Sequence, residues 1–306
     1  MTELSHGTGS DEPGSAATRT GAQEFDAAGL VASGRVPPHT EMAARTRRSG
    51  SWFYAETTLR GMRAFALPIA VYAVLQPLLY MVALGVGLGE LVDRGTGPVD
   101  GVDYLTFVAP ALLVSTVVMS VTAEMTYPVM SGFKWQRLYY GPAASPLEPG
   151  QIARGHLLAV VLRFVLQGGV FWVIMMAFGA APSGFWQSAL VVPIGVLTAT
   201  AFGTPLQAYA STIEDEAYQF AFIQRFVVMP MFLFAGTFFP LSAMPVWLHW
   251  IGWVSPVWHG TQLARVASYG ADVPPVMIAV HLVFLLACTV GGVVWATRSY
   301  TRRLHS

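Results

Sequence analysis

The chain has 306 residues, 54% of them apolar and only 11% charged, with a formal net charge of zero. Soluble domains carry roughly 25% charged residues, so the composition excludes a soluble globular protein and predicts one that crosses a membrane several times. A single cysteine, Cys288, rules out an intrachain disulfide and argues against cysteine ligation of a metal.

Residues 1–40 are rich in Gly, Ser, Ala, Thr and Pro and lack the basic start and apolar core of a signal peptide. They read as a disordered cytoplasmic tail. Over 41–63, and most clearly from Ser51 to Arg63, aromatic and aliphatic residues mix with Glu56, Arg60 and Arg63. That pattern predicts an amphipathic helix lying on the inner leaflet.

From residue 64 onward, charge-free runs locate the spans. The run from Phe164 to Ile213 must hold two of them, because Ala-Pro-Ser-Gly at 181–184 gives a tight turn and Trp186 suits an interface. Six helices are predicted, over 64–89, 104–130, 153–179, 185–211, 218–239 and 275–297. Between the fifth and sixth, the stretch Phe226 to Gln262 carries no charge but holds Pro240, Pro245, Pro256 and four tryptophans. It is too short for two spans and a turn, which need roughly 45 residues at about 20 per span. One span followed by a broken segment that dips back into the membrane fits better. Broken backbone is tolerated at that depth only when buried in protein or facing a watery cavity, which points to a transporter or channel rather than an anchor.

Basic residues set the predicted orientation. Arg45, Arg47, Arg48, Arg60 and Arg63 precede the first span, Lys134, Arg137 and Arg154 lie between the second and third, and Arg298, Arg302 and Arg303 follow the last; only Arg94 and Arg265 fall on the other side. Both termini are therefore expected in the cytoplasm. Glu214, Asp215 and Glu216 precede the fifth helix, where negative charge suits the helix dipole; a contact to a cytoplasmic partner is the alternative.

No catalytic or nucleotide-binding motif is present. Lys134 is the only lysine and no glycine-rich loop precedes it, so a Walker A loop is excluded and any ATPase must be another polypeptide. Four ionisable groups fall in or near the spans, namely Glu124, Arg163, Arg225 and His281. A charge there costs several kcal/mol, so each should face the bundle, a cavity or the interface. Glu124 and Arg163 form either a structural ion pair or part of a polar pathway; Arg225 snorkels, and His281 packs through a hydrogen bond. The loop from Ser131 to Arg154 opens with a basic, aromatic stretch, Phe133 to Tyr140, that predicts a short amphipathic helix followed by a rigid proline-rich connection.

Three stretches together resemble the ABC type 2 export permeases, particularly the branch of the nodulation-factor exporter NodJ and the daunorubicin-type drug exporters. They are Tyr104-Leu-Thr-Phe-Val-Ala-Pro-Ala-Leu-Leu with Thr122-Ala-Glu-Met-Thr-Tyr, Gln136-Arg137 with Ala143-Ala-Ser-Pro-Leu, and Pro230-Met-Phe-Leu-Phe-Ala-Gly-Thr-Phe-Phe-Pro-Leu with Pro245-Val-Trp-Leu and Ser255-Pro-Val-Trp-His. One departure is His156 after Gly155, where members often carry an acid.

The resemblance implies an all-α membrane protein: a six-helix transmembrane domain over 64–306, an N-terminal interfacial helix, a cytoplasmic coupling helix and a re-entrant hairpin on the outer side between helices five and six. It further implies a plasma-membrane permease subunit that is not itself an enzyme and holds no cofactor. ATP and Mg would be bound by a partner ABC ATPase. The permease would work as a homodimer or with a second permease, exporting an amphipathic or hydrophobic molecule such as a glycolipid, a lipid-linked sugar or a drug. No nucleic-acid partner is expected. The site residues it implies are Lys134, Trp135, Gln136, Arg137, Leu138, Tyr139 and Tyr140 for coupling to the ATPase. Glu124 and Arg163 would form the inner gate or a polar pathway, and Phe238, Phe239, Pro240, Pro245, Trp247, Trp250, Pro256 and Trp258 the outer gate. The rival readings are a secondary transporter or channel without an ATPase, and an intramembrane lipid-modifying enzyme.

Overall fold

The computed structural model describes residues 32–34, 38–95, 97–215 and 217–305. The chain divides into two units, Met1–Ala44 and Arg45–Ser306. The predicted tail, 1–40, falls almost wholly outside the described residues; the second unit is the helical bundle. Among the described residues there is no strand, only an isolated bridge between Val99 and Val102.

Helix α1 (His39–Met62) runs through a 3-10 turn at Arg63–Phe65 into α2 (Ala66–Tyr80), which continues as a π-helical stretch over Met81–Leu88 and ends in α3 (Gly89–Gly95). Next come α4 (Tyr104–Glu124), α5 (Tyr127–Met130) with a π turn at Ser131–Trp135, α6 (Tyr140–Ala143) and α7 (Pro149–Ala177). After these lie α8 (Phe185–Ser188) and α9 (Val191–Thr212), and the last helix is α14 (Pro275–His305). Among the described residues, five stretches are long and apolar enough to cross a membrane: Thr40–Gly95, Tyr104–Trp135, Pro149–Ala177, Phe185–Thr212 and Pro275–His305.

α4 is the centre of the bundle. Apolar or small residues surround it on every side, and 83% of its apolar stretch is buried, against 17% for α14 at the periphery. A helix apolar all round can be buried all round. Close helix contact is made by small residues, as expected where water supplies no driving force between helices. A Cβ at Gly292 would collide with Thr204 and the Pro205 backbone, so α14 can lie against α9 only with glycine there. Thr204 Oγ1 then donates to the Thr289 carbonyl at 3.1 Å.

Two features of the chain between 218 and 274 differ from the sequence-based expectation. The fifth helix, predicted over 218–239, runs only over Gln219–Phe234, as α10 (Gln219–Ile223), a π turn at Gln224–Val228 and α11 (Met229–Phe234). At ~1.5 Å per residue this is about 24 Å, less than the roughly 30 Å of a hydrocarbon core. It stops there because Gly236 turns the backbone to φ +80°. The second difference is that the broken stretch, expected to end at Gln262, closes in a helix that runs on to Tyr269, α13 (Pro256–Tyr269), preceded by the short α12 (His249–Val254).

Candidate functional site

The loop between α4 and α7 does not form a helix over Lys134–Tyr140. The π turn ends at Trp135, and Arg137 adopts φ +53°, a left-handed conformation that no helix continues through. Tyr139 is then folded back, its amide donating to the Gly132 carbonyl at 3.1 Å. Gly132 is required at this crossing, since a Cβ would collide with the Tyr139 ring.

Tyr139 is therefore a root of the loop and not part of its surface. It is 2% exposed, and its ring lies 4.9 Å from Phe133, 5.2 Å from Tyr300 and 6.2 Å from Tyr54. Tyr300 donates to the Tyr139 hydroxyl at 3.2 Å, while Gln207 Nε2 donates to the Ala153 carbonyl at 3.0 Å and to the Tyr300 hydroxyl at 3.4 Å. Burial pushes the Tyr139 phenol well above its usual range, so it stays a neutral hydroxyl. The loop is thus fixed to α7, α9 and α14, and its tip is left outside. Lys134, Trp135, Gln136, Arg137 and Leu138 are exposed, and Tyr140 is half-buried with the Arg137 guanidinium 4.6 Å over its ring.

Lys134 pairs with Asp215, joining this loop to the one before α10. The acidic stretch does not cap that helix: its first turn carries no acid, and its N-cap is Tyr218 at φ +70° without a side-chain cap. Glu216 lies outside the described residues.

Above the rooted loop, Arg163 of α7 donates to the Glu124 carboxylate at the end of α4, both side chains about one-fifth exposed. The two predicted pathway residues are brought together. His156 is buried with Nε2 3.3 Å from the Glu124 carbonyl, and its ring edge meets Tyr139 at 6.4 Å. Gln167 donates to Ser120 Oγ at 3.0 Å one step further along. Arg163 Nε is buried without a hydrogen bond, so this layer is polar but incompletely satisfied. Arg225 is exposed, as snorkelling requires.

At the other end, the chain beyond α11 folds into the bundle as a hairpin. Thr237 meets Ser115 at 2.9 Å and the Tyr104 hydroxyl donates to the Phe238 carbonyl at 3.2 Å, both onto α4. Ser115 lies eleven residues from the start of α4, about 16 Å along it, so the turn at 236–237 sits deep. Ser255 caps the returning helix by accepting from Val257 N at 3.2 Å, and Pro256 occupies its first turn. The helix ends beside the loops of this end, with Ser268 Oγ donating to the Ala180 carbonyl at 3.2 Å and Tyr269 to Asp100 at 3.1 Å.

The charge count placed Arg265 on the side away from the termini without giving it a partner; the structure buries it to 1% exposure. Its Nη2 donates to the Gly236 carbonyl at 2.7 Å and its Nε to the Phe107 carbonyl at 3.4 Å, with the guanidinium 3.7 Å over the Phe107 ring. One side chain thus holds both limbs of the hairpin to α4. The signal that could have found it is Ser255-Pro256 opening and Gly270 closing a short amphipathic run that contains this lone charge. His259 was missed as well. Its Nδ1 lies 2.7 Å from His281 Nδ1, and its Nε2 is 3.0 Å from the Trp253 carbonyl. A carbonyl can only accept, so the neutral pair has His259 protonated at Nε2 and His281 donating from Nδ1. His281 is then the hydrogen-bonded packing residue expected of it.

The predicted outer-gate residues divide between two faces. Phe238, Phe239, Pro240, Pro256 and Trp258 are half-buried, the Trp258 ring against Gly236, while Pro245, Trp247 and Trp250 are exposed.

The sequence is similar to known proteins. The profile of the family described as ABC-2 type transporter matches residues 62–269. Nodulation protein J of Rhizobium meliloti (strain 1021) is 27% identical over 229 residues, covering 74% of this chain and 84% of that protein. Nodulation protein J of Bradyrhizobium diazoefficiens is 28% identical over 213 residues, 69% of this chain and 78% of the relative. The inner membrane transport permease YadH of Escherichia coli (strain K12) is 25% identical over 224 residues, 72% and 85% of the two chains.

Proposed function

This chain belongs to the ABC-2 type transporter family, and we propose that it is the permease of an exporter powered by a separate ABC ATPase subunit. The ATPase binds ATP and Mg, and the permease works as a dimer with an identical chain or a second permease. Its cargo is an amphipathic or hydrophobic molecule, a glycolipid, lipid-linked sugar or drug, taken from the cytoplasm or inner leaflet. The name of one relative, an inner membrane transport permease, agrees with transport across the plasma membrane. The end carrying Lys134, Arg137, Arg154 and Arg303 faces the cytoplasm, in keeping with the excess of basic residues there.

The observation that carries the reading is the loop at 131–140. Five consecutive exposed residues, Lys134 to Leu138, stand on a buried aromatic root that contacts α7 and α14 directly. A push on the tip is passed through this root to α7, the helix that carries both Arg163 and His156. The Glu124–Arg163 layer is the inner gate in this account. The hairpin, sealed to α4 by Arg265 and Thr237, is a sixth traverse folded back on itself and serves as the outer gate.

The test is co-expression with a candidate ATPase subunit, followed by purification and ATP-dependent export from inverted vesicles. The proposal requires a stoichiometric complex and transport that stops without ATP. Transport by the chain alone in liposomes would overturn it.

A further inference from the structure

The hairpin turns one face to the bundle and another away from it. Trp247, Trp250 and Trp253 are 71%, 59% and 56% exposed, flanked by Val246 and Val254. Their spacing of three sets them along one side of the segment Val246–Val254. The opposite side is packed, for a Cβ at Gly252 would touch Leu241 at 2.9 Å. No charge occurs between Phe226 and Gln262, so this face offers only indole surface, indole N–H and aliphatic carbon.

Position says what covers it. Phe239, Pro240 and Ala243 line one groove with Pro98 and Val99 of the 97–103 loop, so the segment lies at the level where that end's spans are joined. Trp186, just after the turn at 179–184, is 85% exposed at the same end. The face also continues onto α14: the Trp253 carbonyl receives His259, His259 meets His281, and the neighbouring Val280 and Val283 are 46% and 65% exposed. α14 is the least buried of the long apolar stretches, so its outward face is left open to lipid. Indoles favour the zone where one part of the ring meets acyl chain and the N–H meets ester and phosphate oxygens.

We propose that Trp247, Trp250 and Trp253 form an anchor that seats the hairpin in the head-group zone of the outer leaflet, with the phospholipid ester and phosphate oxygens as its partner. The outward face then reads the bilayer, and the inward face, with Phe238 and Trp258, closes the path. This rests on the orientation proposed above.

The full chain carrying Cys288→Ala is placed in right-side-out vesicles, with Trp247→Cys, Trp250→Cys or Trp253→Cys labelled by an environment-sensitive fluorophore and Trp52→Cys as the opposite-end control. Spin-labelled phospholipids report depth, and impermeant dithionite added outside reports sidedness. The expected result is at least about twofold stronger quenching by a spin label near the ester groups than by one at the chain terminus. Each labelled chain must elute as the wild type does on gel filtration. Quenching by water-soluble agents alone places the tryptophans in the export path, and quenching that emerges only when the dimer is dissociated places a second copy over them; either overturns the anchor. If dithionite reaches Trp52→Cys and spares the hairpin, the orientation is what fails.

Discussion

Tyr139 lies in the stretch whose residue types read as a partner-binding helix, and its replacement distinguishes a root from a contact. Tyr139→Phe keeps the ring against Phe133, Tyr300 and Tyr54 and removes one hydroxyl that accepts from Tyr300. Losing a single buried hydrogen bond of that kind costs about 1 kcal/mol. Tyr139→Ala removes the ring from a fully packed site, and large aromatic-to-alanine changes in cores cost about 3–5 kcal/mol. The two variants should therefore differ by about 3 kcal/mol in reversible unfolding of the permease alone in mixed detergent–SDS micelles. If both unfold with the wild type, and Tyr139→Ala instead abolishes ATPase association, Tyr139 is a contact residue and the rooted-loop argument is wrong.

Breaking the Glu124–Arg163 pair from either side strands a charge that is about one-fifth exposed. Glu124→Gln and Arg163→Met should each cost about 2 kcal/mol, somewhat below the figure for fully buried pairs, and the double variant less than their sum by about 1 kcal/mol; additive costs would show that the pair is not coupled. Arg265→Met removes the charge-assisted bond to the Gly236 carbonyl and the stack on Phe107. Hydrogen exchange over 236–258 should rise by at least about tenfold while α7 is unchanged; unaltered exchange would show that Arg265 does not hold the hairpin. By contrast, Lys134→Ala or Asp215→Ala should shift stability by less than about 0.5 kcal/mol, because side chains 43% and 83% exposed are screened; a larger shift would make that ion pair part of the loop's root.

The helical class and the five long apolar stretches were legible because charge-free runs of span length have few other uses. The split after Gly179 could be read from Ala-Pro-Ser-Gly alone. What could not be read were contacts across the bundle. Tyr139 and Trp135 look alike in sequence, both aromatic in a basic loop, yet one is 2% and the other 52% exposed. The difference arises from Gly132 and from Tyr300, which lies 161 residues away. The burial of Arg265 was illegible for a related reason: a lone arginine after a long apolar run resembles a loop charge unless the carbonyl freed at Gly236 is known to need a donor. The Glu124–Arg163 pairing was anticipated as one of two alternatives, since an ionisable group on each of two adjacent apolar helices has few other ways to be satisfied. The short fifth helix was misjudged in length because Gly236 was counted as a span residue, whereas its positive φ ends the helix.

The central claim is that the exposed tip of the 131–140 loop receives the ATPase, and cross-linking from single cysteines tests it most directly. Arg137→Cys and Leu138→Cys, each in a Cys288→Ala background, are compared with Trp247→Cys in the assembled complex with a short bifunctional reagent. The account predicts a permease–ATPase adduct from both loop positions and none from Trp247→Cys. An intact complex that yields no adduct from the loop, or yields one from the hairpin, would contradict it.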